Sequence, residues 1–251
     1  GKLHITEKSV STPVPLTGRS PGGKPVKVTA ETTDGILTLG IDAEPTTSEF
    51  EHFLNLEFAE PFFKKVSGTA AVHVDAEIGL TKRRLAFTGS TDLAGVVSTL
   101  PEPYEKAQGI KWPTTFSVTL PDNTMTVGVS SPERAAVDLR FLRRENSLTL
   151  NNGFIGLGAS RMQPPEDGVT IRVETPRASL DDWTPYILQD EKNNAGKTNG
   201  SDSAVDRISV VEAEIGSVLW SDKEFRNLDL TARRFTKNDW HIRIAGDDAA
   251  G

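Results

Sequence analysis

The sequence predicts an all-β protein: a long antiparallel meander with one or two short helices. Three observations predict it. Apolar residues recur at every second position through most of the chain, the links between these runs are short and rich in turn residues, and helical spacing is confined to two places.

Taken in order, residues 1–25 are rich in Pro and Gly and are expected to be irregular. Residues 26–251 are expected to form one continuous antiparallel β domain. Alternation places strands over Val26 to Thr32 and Ile36 to Ala43, joined by Asp34-Gly35, whose residues tolerate positive φ. A helix is expected near 48–65, because Ser48 and Glu51 have capping-box spacing and Phe50, Phe53, Leu54 and Phe58 follow at helical intervals until Pro61. In the run Ala71 to Ile78, Val72, Val74, Ala76 and Ile78 share one face and His73, Asp75 and Glu77 the other. Further strands follow over Arg84 to Gly95, Thr115 to Leu120, Met125 to Val129, Ala136 to Leu142 and Ser147 to Leu150. Pro121-Asp122-Asn123 supplies one turn and Asn152-Gly153 is expected to supply another. Val169 to Glu174 is the next strand, Asp181 to Leu188 a second short helix, and the polar stretch 190–203 a flexible loop. Strands over Ile208 to Leu219, Asn227 to Ala232 and Trp240 to Ala245 complete the chain. Most gaps are too short for the crossovers of about a dozen residues that parallel pairing needs, hence the antiparallel reading.

The net charge of −7 and pI near 5.2 argue against a nucleic-acid partner. The short basic clusters Lys82-Arg83-Arg84, Arg143-Arg144 and Arg233-Arg234 read as solvated hairpin ends. With no cysteine, the chain has no disulfide, thiol nucleophile, Cys-ligated zinc or iron–sulfur cluster. His4, His52, His73 and His241 have no metal-ligand spacing, and no nucleophile elbow or Walker loop occurs. No enzyme activity, cofactor or metal is expected. Asp181-Asp182 and Asp247-Asp248 read as a helix cap and a chain end rather than a glycosidase pair. Trp183 and Trp240 lie among apolar residues and read as packing groups rather than sugar platforms. No apolar run approaches the ~20 residues of a membrane span. The chain opens on Gly1 and closes on Ala249-Ala250-Gly251, which reads as a segment of a longer chain.

Several short passages, in order, resemble the YhdP-type members of the AsmA-like family. They are Phe62-Phe63-Lys64-Lys65-Val66-Ser67-Gly68-Thr69-Ala70, Ser90-Thr91-Asp92-Leu93-Ala94-Gly95-Val96, Leu100-Pro101-Glu102-Pro103-Tyr104-Glu105-Lys106, Ala178-Ser179-Leu180-Asp181-Asp182-Trp183 and Asp239-Trp240-His241-Ile242-Arg243-Ile244. The likeness covers roughly residues 48 to 251 and departs from the family pattern at Thr99, at Tyr104 and in the polar insertion after Leu188. The resemblance implies an internal slice of an elongated, twisted sheet that curls into a groove. It also implies a periplasmic location, an inner-membrane anchor elsewhere in the chain, and a part in moving phospholipids toward the outer membrane. A two-chain lipid exposes about 30 methylenes to water at ~0.8 kcal/mol each, on the order of 20 kcal/mol, so any such path must shield the chains.

The expected lining of that groove is the apolar half of each alternation: Val72, Val74, Ile78, Leu85, Phe87, Phe116, Val118, Leu120, Met125, Val127, Val129, Val137, Leu139, Phe141, Leu148, Leu150, Val169, Ile171, Val173, Leu228, Leu230, Ile242 and Ile244. The expected partners are phospholipid, neighbouring β segments of the full-length chain and envelope proteins at either membrane. Alternation alone fits equally a closed sandwich in which these residues pack sheet on sheet. Two other functions stay open: a structural or interaction module of the envelope without lipid cargo, and a carbohydrate-binding β-sandwich. A sugar binder calls for two or more exposed Trp faces beside acids, whereas a lipid groove calls for an uncovered apolar stripe.

Overall fold

The computed structural model describes residues 1–54, 63–80, 84–144, 147–187, 204–236 and 239–247. Fifteen strands form one sheet that does not close on itself. Residues 1–25 are not irregular. They supply β1 (Lys2–Ile5), β2 (Val10–Val14) and β3 (Leu16–Arg19), short strands at the sheet's edge, where prolines are tolerated. β4 (Pro25–Thr33) and β5 (Ile36–Ala43) follow, joined by Asp34 and Gly35 at φ 51° and 76°, the two positive values a tight hairpin needs.

α1 (Thr47–Leu54) then leaves the sheet. Its capping box uses Thr46 and Glu49 rather than Ser48 and Glu51: Thr46 N donates to Glu49 Oε2 (2.8 Å), and Glu49 N donates to Thr46 Oγ1 (3.2 Å). Gly22 N donates to the other Glu49 oxygen, and these backbone donors hold the Glu49 carboxyl down at about 2. The expected continuation of this helix through Phe58 and past Pro61 lies outside the described residues.

The chain returns through β6 (Val66–Gly68) to β7 (Val72–Gly79) and β8 (Arg84–Thr91). The expected single strand from Arg84 to Gly95 is broken after Thr91. Asp92 Oδ1 accepts from Ala94 N, Leu93 takes φ 51°, and the chain turns into β9 (Val96–Thr99). β9 pairs with β6 and with β10 (Glu105–Lys106) as a separate three-stranded sheet. Its Val66 and Val96, with Leu93 and Ala70 from the adjoining links, pack against Val72, Val74 and Phe116 of the large sheet. Gly68 and Gly95 are needed there because a Cβ on either would strike the facing backbone.

β11 (Thr114–Pro121), β12 (Thr124–Ser131), β13 (Ala135–Arg144) and β14 (Ser147–Leu157) continue as antiparallel neighbours. Asn152-Gly153 is not a turn: both residues lie inside β14, beside a bulge opposite Arg140 and Phe141. Gly153 lets Leu139 fold over the strand, since a Cβ would sit 2.5 Å from Leu139 Cδ2.

The purely antiparallel expectation fails next. β15 (Gly168–Ser179) runs parallel to β14, and β16 (Ile208–Trp220) runs parallel to β15. The first crossover, residues 158–167, takes ten residues without a helix. It is anchored where Asn152 Nδ2 donates to Pro165 O (2.6 Å) and Arg161 pairs with Asp138, and Phe154, on the face it crosses, is 1% exposed. The second contains α2 (Leu180–Ile187) and a 3-10 turn over Ala204–Arg207; the polar loop expected at 190–203 lies outside the described residues. Ser179 Oγ, not Asp181, accepts from an α2 amide (Asp182 N, 3.3 Å), while Asp181 accepts from Ser221 N and ties α2 to the next hairpin. β17 (Lys223–Thr236) and β18 (Asp239–Ala245) close the order antiparallel.

The sheet order is therefore β1-β2-β4-β5-β7-β8-β11-β12-β13-β14-β15-β16-β17-β18, with β3 on β4. It follows the chain, and among the described residues no second sheet of comparable size lies against it, so the sandwich alternative is not what forms. The accessible surface of 16620 Å² is about 1.5 times the roughly 10900 Å² of a compact monomer of this mass.

Candidate functional site

Residues paired across a ladder project to the same side, so the strand registers state what each face carries. One row is apolar from β4 to β18: Val28, Ile41, Val74, Gly89, Phe116, Val129, Val137, Ile155, Ile171, Val211, Ala232 and Ile242. Gly89 is its one gap, and Phe116 fills it, with ring atoms where a Gly89 Cβ would stand. A second row carries Ala30, Leu39, Ala76, Phe87, Val118, Val127, Leu139, Gly153 and Val169. Beyond it stand Leu37, Ile78, Leu85 and Leu120, and then Met125, Phe141 and Leu150, with Leu148 opposite Arg143. Toward the other strand ends are Val72, and the row Leu157, Val173, Ala213, Leu230 and Ile244, with Leu228 opposite Ile215.

All the residues expected to line a groove thus stand on one face of one sheet. Of them only Val72 (7% exposed) and Val169 (1%) are buried, while Leu148 and Ile242 are more than half exposed. Contacts between elements run mainly between ladder neighbours, with α1 meeting β6, α2 meeting β16 and the 3-10 turn meeting β14. At ~4.8 Å per strand and ~3.4 Å per residue, twelve strands of about eight residues make a face roughly 50 Å by 25 Å, far beyond the few hundred Å² usual for an exposed patch. The sequence reading missed the contributions of β4, β5, β14 beyond Leu150 and β16. Val28, Leu39, Ile41, Val211 and Ala213 lie in runs whose alternation was already visible.

The opposite face is polar along the same registers. Lys27, Asp42, His73, Ser90, Thr115 and Ser130 form one row. His73 Nδ1 lies 2.7 Å from Asp42 and Nε2 3.5 Å from Asp75, and the hydrogen bond to Asp42 raises the imidazole pKa and lowers that of Asp42. Arg172 is gripped by Glu174 (2.6 Å) and Glu214 (2.8 Å), with Glu212 at 3.8 Å. Among the tryptophans only Trp220 is exposed; Trp112 lies under Arg134 (4.7 Å), Trp240 under Arg234 (4.7 Å), and Trp183 packs edge-on to Tyr104. That leaves one exposed indole where a sugar binder calls for at least two.

A single apolar face, continuous over twelve strands and backed by a polar one, suits an elongated amphiphile better than a compact polar ligand. A family model described as YhdP protein matches residues 1–251, the whole chain. The chain belongs to the YhdP family. The match includes the N-terminal strands that the passages quoted above left out. Comparison with curated proteins and with solved structures finds no match. YhdP membership supports a role related to lipid transport in the cell envelope. No described helix of this YhdP chain is long and apolar enough to cross a membrane.

Proposed function

We propose that the apolar face shields phospholipid acyl chains in transit through the periplasm between the inner and outer membranes. The chain acts as one segment of a longer, inner-membrane-anchored path and performs no catalysis. The observation that carries this reading is the row from Val28 to Ile242, apolar in every strand it crosses apart from one glycine. An acyl chain moving from strand to strand along it keeps apolar contact throughout, so no step pays the ~0.8 kcal/mol per methylene of exposure to water. Among the described residues nothing pairs with the outer edges of β1 and β18, and these edges suit pairing with neighbouring β segments, which would extend the path, and with envelope proteins at either membrane.

The test is photo-crosslinking in cells from benzoylphenylalanine placed at Val127, on the apolar face, and at Arg140, exposed on the polar face. Phospholipid attached at Val127 and absent at Arg140 is the expected result. Equal labelling, or none at either position, would return the molecule to a structural role in the envelope.

A further inference from the structure

The two ends of the apolar face differ. At the end where β7 begins, the three-stranded sheet sits on Val72, Val74 and Phe116 and fills the space above them with Val66, Leu93 and Val96. At the opposite end, Leu85, Leu120, Met125 and Phe141 are only half-buried. The next position beyond Phe141 on the same side is Arg143, which is exposed and has no ion-pair partner among the described residues. Arg234, two positions beyond Ala232, stands at the same end, where its guanidinium lies over the Trp240 ring (4.7 Å), donates from Nη1 to Asp206 O (2.6 Å) and keeps a buried Nε without an acceptor. Arg207 lies between them, donating to Leu150 O (2.9 Å) with Asp167 at 3.8 Å. Among the described residues the carboxylates of this end include those in the turns (Asp34, Asp122), on the crossover (Glu166, Asp167), in the 3-10 turn (Asp206) and at the start of β18 (Asp239). At the other end the arginines on this side of the sheet, Arg177 and Arg226, share a carboxylate: Glu224 accepts from Ser217 (2.6 Å), lies 3.7 Å from Arg226, and is held below its usual pKa by that hydrogen bond and by Arg226 and Arg177.

Resting on the transport reading above, we infer that phospholipids lie on this face with their phosphates at the Arg143–Arg234 end and their acyl chains running along the strands toward the three-stranded sheet. Guanidinium groups make charge-assisted, often bidentate hydrogen bonds to phosphate oxygens, and the exposed Arg143 has donors to give. Depth agrees. From Arg143 to Val137, in the row of Phe116 where the small sheet begins, is six residues or ~20 Å. Half of a ~30 Å hydrocarbon core is ~15 Å, which leaves room for the glycerol. The reverse orientation would press a phosphate against the apolar Val96 and Leu93, where the nearby Lys106 is buried and already donates to Val96 O (2.6 Å).

The experiment feeds cells two photoreactive phosphatidylglycerols, one with its diazirine on the headgroup and one at the acyl terminus, and maps the adducts on the protein by mass spectrometry. The headgroup probe is expected on peptides around Phe141–Leu148 and the acyl probe around Phe116 and Val137. Arg143→Gln is expected to reduce headgroup adducts about tenfold, the worth of one charge-assisted hydrogen bond, and Arg143→Lys to retain part of them. Headgroup and acyl adducts exchanged in position, or intermixed, overturn the orientation and leave transport standing, as does an Arg143→Gln pattern equal to wild type. No adduct from either lipid overturns both.

Discussion

Replacing Val127 with Glu separates an uncovered face from a covered one and tests whether lipid crosses it. Val127 stands between Val118 and Leu139 in the second apolar row and is half-buried by those neighbours. A fully buried valine is worth roughly 1.5–3 kcal/mol, so half of it is about 1 kcal/mol, and an uncovered Glu can extend its carboxylate to water. Amide exchange in β11, β12 and β13 should then accelerate about fivefold and the fold should persist. Under a second layer, the same carboxylate would be stranded at a cost of several kcal/mol and the strands would unfold. Transport should respond more strongly than stability. An acyl chain sliding past an ionised carboxylate must strip its water, and a barrier of only ~3 kcal/mol slows passage about a hundredfold. Lipid crosslinks at Ile41 and Ile171, on either side of β12, read the block: the side away from lipid entry should lose its signal. Unchanged labelling on both sides, in a folded Val127→Glu protein, would refute the claim that chains travel along these rows.

Phe154→Ala should be the costly change on the polar side. The ring is 1% exposed beside the crossover, so its loss is worth ~3–5 kcal/mol and should raise exchange across β13, β14 and β15 at least a hundredfold. Glu49 is held at about 2 against an ordinary 4.5, so its contribution is complete above pH 4.5 and is lost as the pH falls toward 2. Amide resonances of Gly22 and Thr46 should shift through that window, and Glu49→Gln should abolish the shift. His73 has the opposite sign: its raised pKa stabilises below the ordinary value of about 6.5 and the contribution fades as the pH climbs through the folded value. An imidazole titration by NMR should fall back toward 6.5 in Asp42→Asn.

The faces were legible in the sequence because a period of two is preserved across every ladder. Once Val72, Val74 and Ile78 share a side, pairing carries that side to Leu85, Phe116 and Ile242, whether the neighbour runs parallel or antiparallel. Strand direction was not legible, because alternation reads the same from either end. Nothing local to Val169–Val173 states that it runs alongside β14, and a ten-residue crossover is shorter than the helical kind that usually signals such pairing. Asn152-Gly153 has hairpin composition yet sits in mid-strand, where Leu139 needs the room and Asn152 holds the crossover. Phe154 is the clearest discord in the pattern: it is apolar on the polar side and adjacent to Ile155, so two neighbouring residues face opposite ways and both need cover. The arginine end of the face was not legible either. Arg143 and Arg234 looked like solvated hairpin ends until the registers placed both on the apolar side.

A sheet whose order follows its sequence, with little packed across it, is close to one-dimensional. Each strand owes its stability to two neighbours, as in repeat proteins, so cooperativity is local and unfolding can begin at either edge and stop partway. Damage in β17 and β18 should leave β4 to β8 ordered, and melting should spread over a range of temperatures rather than occur in one step. For the transport role proposed above this has a mechanical meaning: bending or stretching at one place can be absorbed by a few strands while the apolar rows of the remainder stay continuous.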